Sequence, residues 1–227
     1  MRIISGEFRR RKLHANAGQT TRPITDRAKE CLFSNIEWRL PGARVADVFC
    51  GTGSLGLEAV SRGAVTATFL EQDRDALELL RKNIAECGAE DRSLVWPSDI
   101  PRCSWKPRNA EAFTPWTVIF LDPPYRMAED LKPGKHLWKS LQRMARTGVA
   151  ADDALLIFRT SKHAKFQFPS EWVAQEPLSV TSMTMHLYVK AASADGPADG
   201  SVPPGVALSQ SESPVASAAT DNAAPPH

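Results

Sequence analysis

The sequence has few features of membrane, secreted or metal-binding proteins. No stretch approaches the run of about 18 apolar residues that a membrane-spanning helix requires. The first residues never reach the apolar segment of an export signal. The four cysteines lie 19, 37 and 16 residues apart, without the close pairs that zinc and redox sites use. We therefore expect a cytoplasmic protein with free thiols, no metal and no membrane partner.

The end of the chain lacks the residues that build a core or bind an anion. Residues 191–227 contain no lysine, arginine or aromatic residue, and they are rich in alanine, proline, serine and glycine. Such a composition cannot bury enough apolar surface to offset the entropy lost on ordering. We predict a disordered tail over 191–227. Its four acids are Asp195, Asp199, Glu212 and Asp221.

Positive charge is concentrated at the other end of the chain. The whole chain has a formal net charge of +2, whereas residues 1–30 hold eight basic against three acidic side chains. A local basic cluster on a nearly balanced protein is typical of a polyanion-binding patch. The alternative is an ordinary solvated face. The basic residues are Arg2, Arg9, Arg10, Arg11, Lys12, Arg22, Arg27 and Lys29.

Short apolar runs alternate with helical patterns from Arg44 onward, which predicts an α/β fold. Alternation of this kind gives an open, mostly parallel sheet with helices on both faces and ligands beyond the carboxyl ends of the strands. Helices are predicted over 26–38, 57–62 and 73–87. Strands are predicted over 44–49, 65–70, 93–96, 116–121 and 154–159, and 172–173 with 183–189 are expected to form a closing antiparallel pair.

A glycine-rich loop follows the first predicted strand, in the sequence DVFCGTGSLG. Gly51 and Gly53 allow a sharp turn and close approach of a ligand to the backbone, and Gly56 allows the helix to pack near the strand. The spacing also satisfies the dinucleotide fingerprint, so it does not separate a nicotinamide site from an S-adenosylmethionine site. Asp47 favours S-adenosylmethionine, because its carboxylate can face the ammonium group. A glycine turn without a ligand is the structural alternative. Phe49, within the loop, is a further candidate for cofactor contact.

Two further acids are candidates for the same site. Glu71 ends the second predicted strand, and its two carboxylate oxygens suit the two hydroxyls of a ribose. It is also well placed as a favourable charge at the start of the next helix. Asp99, after the third predicted strand, would lie near the adenine amino group.

The sequence IFLDPPY provides the most specific chemical signal. An apolar strand ends in Asp122, and Pro123 and Pro124 then stiffen the turn and remove two backbone donors. An exocyclic base amine could donate to the Asp122 carboxylate and the Pro123 carbonyl, which would pull its nitrogen towards an attacking geometry. Tyr125 would stack on an extruded base. A proline-stiffened loop without chemistry is the alternative.

The glycine loop, Glu71 and the Asp-Pro-Pro-Tyr sequence together resemble class I S-adenosylmethionine-dependent methyltransferases that act on base amines. The N-terminal sequences RIISG, RKL and TRPITDR are similar to the bacterial family that methylates a guanine N2 in 16S ribosomal RNA. The resemblance covers residues 2–190. It departs from the family pattern at Arg10, where the family has glycine, at Ile24, where it has threonine, and near Ser182, where its Tyr-Gly is absent.

This resemblance implies a Rossmann-like fold with a seven-stranded sheet, S-adenosylmethionine as the cofactor and the assembling small ribosomal subunit as the substrate. It implies three segments: a basic hairpin and helix over 1–40, a methyltransferase domain over 41–190 and the tail over 191–227. We expect a monomer. The residues expected to contact RNA phosphates are Arg9, Arg10, Arg11, Lys12, Arg22 and Arg27, with Lys29 in the same basic stretch.

Two other functions fit parts of the pattern. A DNA adenine-N6 methyltransferase uses the same acceptor signature, but we expect it to carry a separate target-recognition domain, which 190 ordered residues do not accommodate. A non-catalytic ribosome assembly factor would keep the fold, but decayed motifs would then be expected. In this sequence the glycine loop, Glu71 and Asp122–Tyr125 are intact.

Overall fold

One mixed sheet organises the protein. A computed structural model describes residues 1–15, 24–105, 107, 110–146, 148–180 and 183–192, which belong to one compact unit, Met1–Ala194. In the sheet order β3-β2-β1-β4-β5-β8-β6, the first five strands run parallel, and β8 pairs antiparallel with β5, β6 and the short β7. The strands are β1 Arg44–Val48, β2 Thr66–Glu71, β3 Ser93–Pro97, β4 Trp116–Leu121, β5 Ala150–Ser161, β6 Trp172–Ala174, β7 Leu178–Val180 and β8 Met183–Lys190.

Helices cover both faces of the sheet, as the sequence predicts. One core contains apolar side chains of the first three helices, and the other contains those of the last two. Short 3₁₀ turns extend the first helix over Glu37–Arg39 and follow β3 at Ile100–Arg102. The helices are α1 Asp26–Ile36, α2 Ser54–Ser61, α3 Arg74–Cys87, α4 Tyr125–Glu129 and α5 His136–Met144.

The strand order reverses between β1 and β4. From β1 the chain moves outward through β2 and β3, and it then returns to the opposite side of β1 to form β4 and β5. In open α/β sheets, ligands bind at the carboxyl ends of the strands where the order reverses. The glycine loop follows β1 and Asp122 follows β4, so both candidate motifs lie at this point.

The predicted elements are confirmed with small shifts of their ends. Asp73 caps α3 by accepting from the Ala76 amide at 2.8 Å, and Gly88 ends the helix in the left-handed conformation. The predicted first helix over 26–38 was wrong at its end, because the α-helix ends at Ile36 and continues only as a 3₁₀ turn. The predicted closing pair is confirmed as β6 and β8.

The N-terminal residues form a hairpin that packs along α2. The hairpin is closed by hydrogen bonds such as the Ile3 amide to the Arg11 carbonyl at 2.9 Å. The Glu7 amide donates to the Ser61 carbonyl at 2.8 Å, and a Cβ on Gly6 would lie 1.8 Å from that same oxygen. Only glycine therefore allows this close approach.

The predicted tail lies almost wholly outside the described residues. The last described contact of the chain is a 2.8 Å hydrogen bond from the Ala191 amide to the Glu171 carbonyl. No helix in the described ranges is long and apolar enough to cross a membrane. The four cysteines are free thiols.

Candidate functional site

The glycine loop turns sharply between β1 and α2. Phe49, Gly51 and Gly53 all have positive φ, at 62°, 53° and 84°. A Cβ on Gly53 would lie 2.4 Å from Leu80, whereas no atom lies within 4 Å of the corresponding position at Gly51. Gly53 is therefore required for packing, and Gly51 borders open space in which a ligand can approach the backbone.

Asp47 lies beneath this loop and is almost fully buried. Its carboxylate accepts from the Gly56 amide at 2.7 Å, and a Cβ on Gly56 would lie 2.4 Å from the Phe69 ring. Burial raises the pKa of Asp47 to about 8, the charges of Asp122 and Glu71 add to this effect, and the Gly56 bond opposes it. The side chain thus braces α2, and it is also the group whose charge a neighbouring ammonium ion would stabilise most.

Glu71 ends β2 and holds the glycine loop in place. One carboxylate oxygen accepts from the Gly51 amide at 3.0 Å, and the other accepts from the Gln72 and Asp73 amides at 2.8 and 3.0 Å. The acid therefore orders the loop in addition to offering its remaining acceptor capacity to a ribose.

Asp99 follows β3 and is exposed. Its carboxylate lies 3.6 Å from Arg102, an exposed pair that holds the side chain only weakly. The next residue, Ile100, is buried. Asp99 thus lies at the carboxyl end of the parallel strands, where a ligand could reach it. No contact in the structure assigns it to adenine.

Asp122 follows β4 directly and lies beside the glycine loop. Its amide donates to the Val48 carbonyl at the end of β1 at 3.1 Å. Its carboxylate accepts from the Arg159 Nε on β5 at 2.6 Å, and the two side chains are 19% and 8% exposed. Burial raises the pKa of Asp122, and the Arg159 charge and hydrogen bond oppose that rise.

The two proline carbonyls after Asp122 differ in their hydrogen bonds. The Pro124 carbonyl accepts from the Met127 and Ala128 amides at 2.8 and 3.1 Å, so it starts α4 and is not free for a substrate. No hydrogen bond from the part of the chain that the structure describes reaches the Pro123 carbonyl. Tyr125 begins α4 and is partly exposed, which leaves its ring accessible at the sheet edge.

A small pocket, with room for about one water molecule, lies beside Asp122. Its walls come from α1, α2 and the sheet, and they are apolar apart from Asp122 and Arg159. The pocket is too small to hold a base, and it shows only that two polar side chains converge at an apolar wall. The apolar lining residues are Ile24, Leu32, Leu55, Phe120, Leu121, Ile157 and Met185.

The basic residues expected to contact RNA extend from the hairpin turn to the start of α1, where Arg2 pairs with Lys12 and binds Asp26. Arg9, Arg10, Arg11 and Lys12 are exposed on the hairpin, and Arg27 is exposed near the start of α1. Arg22 lies outside the described residues. The sheet is parallel here, so α2 runs from the glycine loop back to the opposite edge. The hairpin turn, which binds Ser61 at the end of α2, therefore lies at that opposite edge.

Lys29 was wrongly placed among the phosphate-binding residues. Its side chain is 1% exposed, and its Nζ lies 3.1 Å from Glu58 and 2.6 Å from the Arg2 carbonyl. Glu58 also accepts from the Ile4 and Ser5 amides at 2.8 and 3.1 Å. Lys29 therefore joins α1, α2 and the hairpin, and it cannot reach a phosphate.

Sequence reasoning missed Arg159 and Asn83. Arg159 is the last residue of a predicted strand, so a charge at a strand tip was available as a signal. Asn83 gave no such signal, because it lies within the predicted third helix. Its amide nitrogen donates to the Thr52 carbonyl at 2.9 Å and its oxygen accepts from the His14 amide at 2.7 Å. It thereby joins the glycine loop to the hairpin. Within the described residues, no group of three or more metal-ligating side chains is present.

Comparison with known proteins identifies relatives along nearly all of the described chain. The sequence profile of the family described as conserved hypothetical protein 95 matches residues 1–189. Ribosomal RNA small subunit methyltransferase D of Escherichia coli strain K12 is 30% identical over 200 residues, which cover 88% of this chain and 94% of the relative. The protein of the same name from Haemophilus influenzae is 31% identical, over 83% of this chain and 93% of the relative.

Solved structures agree with these matches. The structure of yhhF from Escherichia coli has 30% sequence identity, covers 85% of this chain and 99% of its own, and superposes with a TM-score of 0.67. The fold and the resemblance that the sequence predicts are thereby confirmed. The chain belongs to the conserved hypothetical protein 95 family and groups there with the ribosomal RNA small subunit methyltransferases D.

Proposed function

We propose that the protein methylates the exocyclic N2 amine of a guanine in small-subunit (16S) ribosomal RNA, with S-adenosylmethionine as the cofactor. The observation that carries the proposal is the position of Asp122. A mostly buried carboxylate lies at the end of β4, directly beside the glycine loop, with a small apolar pocket at its side. Relatives named as ribosomal RNA methyltransferases support the substrate class.

The residues around the loop fit S-adenosylmethionine. Gly51 borders open space, Asp47 offers a carboxylate to an ammonium group, and Glu71 offers acceptors to a ribose. When bound, this cofactor supplies a methyl group on a positively charged sulfur, which is electrophilic without a metal ion. Asp99 and Phe49 remain proposed contacts of the adenosine part.

The role of this chain in the reaction is mainly positioning. A base amine is a poor nucleophile, because its lone pair is delocalised into the ring. Hydrogen bonds from its two N–H groups to the Asp122 carboxylate and the Pro123 carbonyl favour a pyramidal nitrogen. Methylation makes that nitrogen acidic, so Asp122 can accept the released proton without a stronger base nearby. Tyr125 provides a stacking surface for the extruded base.

The two alternatives make different predictions. A DNA adenine-N6 methyltransferase would methylate adenine in duplex DNA, yet the described residues form one compact unit without a separate recognition domain. A non-catalytic assembly factor would bind the ribosomal particle without methyl transfer. The intact arrangement of Asp122, Glu71 and the glycine loop favours an enzyme over that factor.

Mass spectrometry of ribosomal RNA nucleosides, from cells with and without this gene, tests the proposal. We expect loss of N2-methylguanosine from 16S RNA in the deletion strain and its recovery with the wild-type gene. The Asp122→Ala variant should fail to restore it while binding S-adenosylmethionine within a few-fold of wild type, because in this proposal Asp122 binds the acceptor amine and not the cofactor. An unchanged nucleoside profile on deletion would contradict the proposal.

A further inference from the structure

The ion pair between Arg159 and Asp122 indicates that a further residue, Arg159, takes part in the proposed reaction. The Nε–Oδ1 distance is 2.6 Å and the Arg159 side chain is 8% exposed. Its Nη1 is buried and has no acceptor among the described residues, so the Asp122 carboxylate is the principal partner of this buried cation. A buried guanidinium with one anionic partner directs its charge at that partner.

We propose that Arg159 is a positioning residue that holds the Asp122 carboxylate in its charged form and in one orientation for the acceptor amine. The inference rests on the proposed function. Arg159 occupies one oxygen of the carboxylate, so the other oxygen faces the amine. Both side chains line the same small pocket, so an amine that binds Asp122 lies beside the ion pair.

The charged groups around Asp122 explain why such a partner is needed. The charge of Asp122 contributes to the raised pKa of Asp47 on β1, so the two carboxyl groups lie near each other, and Asp47 provides no cation for Asp122. The neighbouring side chains of α1, β4 and β8 in the pocket are apolar, and α4 begins with Tyr125. Burial among these groups favours the neutral form of Asp122. In that form one carboxyl oxygen carries a proton and no longer accepts from an N–H of the amine. Arg159 on β5 is the opposing cation.

The test compares wild type with Arg159→Gln and Arg159→Lys over pH 6 to 9.5, at saturating S-adenosylmethionine, with small ribosomal subunits from a deletion strain. We expect Arg159→Gln to be slowed at least 10-fold at pH 7 and to recover as the pH rises, because Asp122 then ionises at a higher pH. Arg159→Lys keeps the charge and should restore most of the rate. A purely structural role would lower the rate by the same factor at every pH, and that outcome would overturn the proposal.

A second measurement needs no substrate. Carboxyl NMR titration should give an Asp122 pKa about 1 to 3 units higher in Arg159→Gln than in wild type, the range expected from an opposite charge at this distance. An unchanged pKa would overturn the inference even if the enzyme methylates RNA. Failure of the wild type to methylate any RNA, with the pKa change present, would instead contradict the proposed function.

The location of the hairpin carries a second inference. The hairpin turn lies at the end of α2 that is remote from the glycine loop, and an eight-residue helix is about 12 Å long. The chain after β5, in contrast, begins at the catalytic edge of the sheet. Lys162 and Lys165 are exposed in the segment that follows β5, and Arg126 is exposed on α4. None of the three forms an ion pair with another described residue.

We infer that Lys162, Lys165 and Arg126 form an RNA-phosphate surface beside Asp122. The Gln167 amide donates to the Leu131 carbonyl at 2.9 Å, which holds the segment against the chain that follows α4. Lys162 is three residues beyond Arg159, or about 10 Å along an extended chain. That distance suits contact with a backbone phosphate of a nucleotide whose base lies at Asp122. This inference also rests on the proposed function.

Filter binding of purified 16S RNA over a salt series tests this surface without reference to activity. The Lys162→Gln/Lys165→Gln variant should lower the slope of log affinity against log salt by about 1.4 to 1.8. It should also reduce single-turnover methylation at low RNA concentration, with unchanged S-adenosylmethionine affinity. Arg81→Gln/Lys82→Gln, a loss of two exposed charges on α3 outside this surface, is the matched control and should leave single-turnover rates unchanged. An unaltered slope in the lysine variant would overturn the inference.

Discussion

Single residues in the candidate site combine a structural contact with an electrostatic one, and Asp47 is the clearest example. Its pKa is raised to about 8, so at pH 7 the free protein holds this carboxyl mainly as the neutral acid. An ammonium group placed beside it would favour the carboxylate and lower that pKa. Binding of S-adenosylmethionine should therefore release a proton from Asp47 to the buffer.

Calorimetry at pH 7, in two buffers of different ionisation enthalpy, measures this release. We expect wild type to release up to one proton more per bound cofactor than Asp47→Asn. The asparagine oxygen can still accept from the Gly56 amide, so α2 remains braced. Equal proton release from both proteins would show that the ammonium group binds elsewhere.

Arg10 is a residue whose backbone conformation does not suit its side chain. It has a φ of 70° in the hairpin, in the left-handed region that favours glycine. Arg10→Gly should therefore raise the free energy of unfolding by roughly 0.5 to 1 kcal/mol, after allowance for the greater freedom of glycine in the unfolded chain. Urea unfolding measures the change. Arg9→Gly removes the same charge at a residue without positive φ and should lower stability instead.

Residue types at strand ends allowed most of the site to be predicted, because chemistry restricts them. Asp122 and Glu71 stand at the ends of apolar runs, and a parallel sheet brings such ends together. The pairing of Asp122 with Arg159 could not be predicted, since the two residues are 37 apart in the sequence and the register of β4 against β5 depends on packing. The burial of Lys29 could not be predicted either, because it depends on a tertiary contact with Glu58 on another helix.

At the scale of elements, a buried charge network joins the hairpin to α2. Glu58 is fully buried and accepts from Lys29, Arg62 and two hairpin amides. Glu58→Gln should lower the free energy of unfolding by about 3 to 5 kcal/mol, because Lys29 is then buried without its counterion. Glu78→Gln, which removes an exposed pair with Lys82 on α3, should change stability little.

The pH dependence of the Glu58→Gln variant has a definite sign. Burial already lowers the pKa of Lys29, and Glu58 opposes that effect in wild type. Without Glu58 the folded protein binds fewer protons than the unfolded chain between the lowered pKa and the usual lysine value. The stability of the variant should therefore rise relative to wild type as the pH rises through that window. A constant difference at pH 7 and pH 9.5 would contradict this account.

Elements differ in how well the sequence specified them. Helix α3 carries its own cap, apolar stripe and glycine stop, so its limits were predicted within one residue. Strand β5 is longer than predicted, because Ala150 at its start pairs with Trp116 on β4 and the residues at its end pair with β8. Both pairings are tertiary contacts that the local sequence does not specify. The three-residue strand β7 and the helices α4 and α5 were not predicted. β7 depends on pairing with β8 and shows too short a pattern to be recognised alone.

At the scale of the whole molecule, the two ends of the chain have opposite compositions. The hairpin is basic and packs on α2, whereas residues 193–227 lie outside the described residues, carry four acids and contain no lysine or arginine. Removal of these residues raises the net charge by four. Since the chain up to Ala192 retains β8 and the Ala191 hydrogen bond, truncation after Ala192 should leave the unfolding temperature and the methylation rate unchanged.

The truncation should nevertheless strengthen RNA binding at low salt. We expect the acids of the tail to compete with phosphates for basic side chains, and such competition is screened as the Debye length falls from about 10 Å at 0.1 M salt to about 3 Å at 1 M. Filter binding of 16S RNA should show a gain of a few-fold at low salt that disappears at high salt. A full-length variant with Asp195, Asp199 and Asp221 changed to Asn and Glu212 to Gln is the matched control. If it binds like wild type while the truncated chain binds more tightly, the tail acts through its bulk and not through its charge.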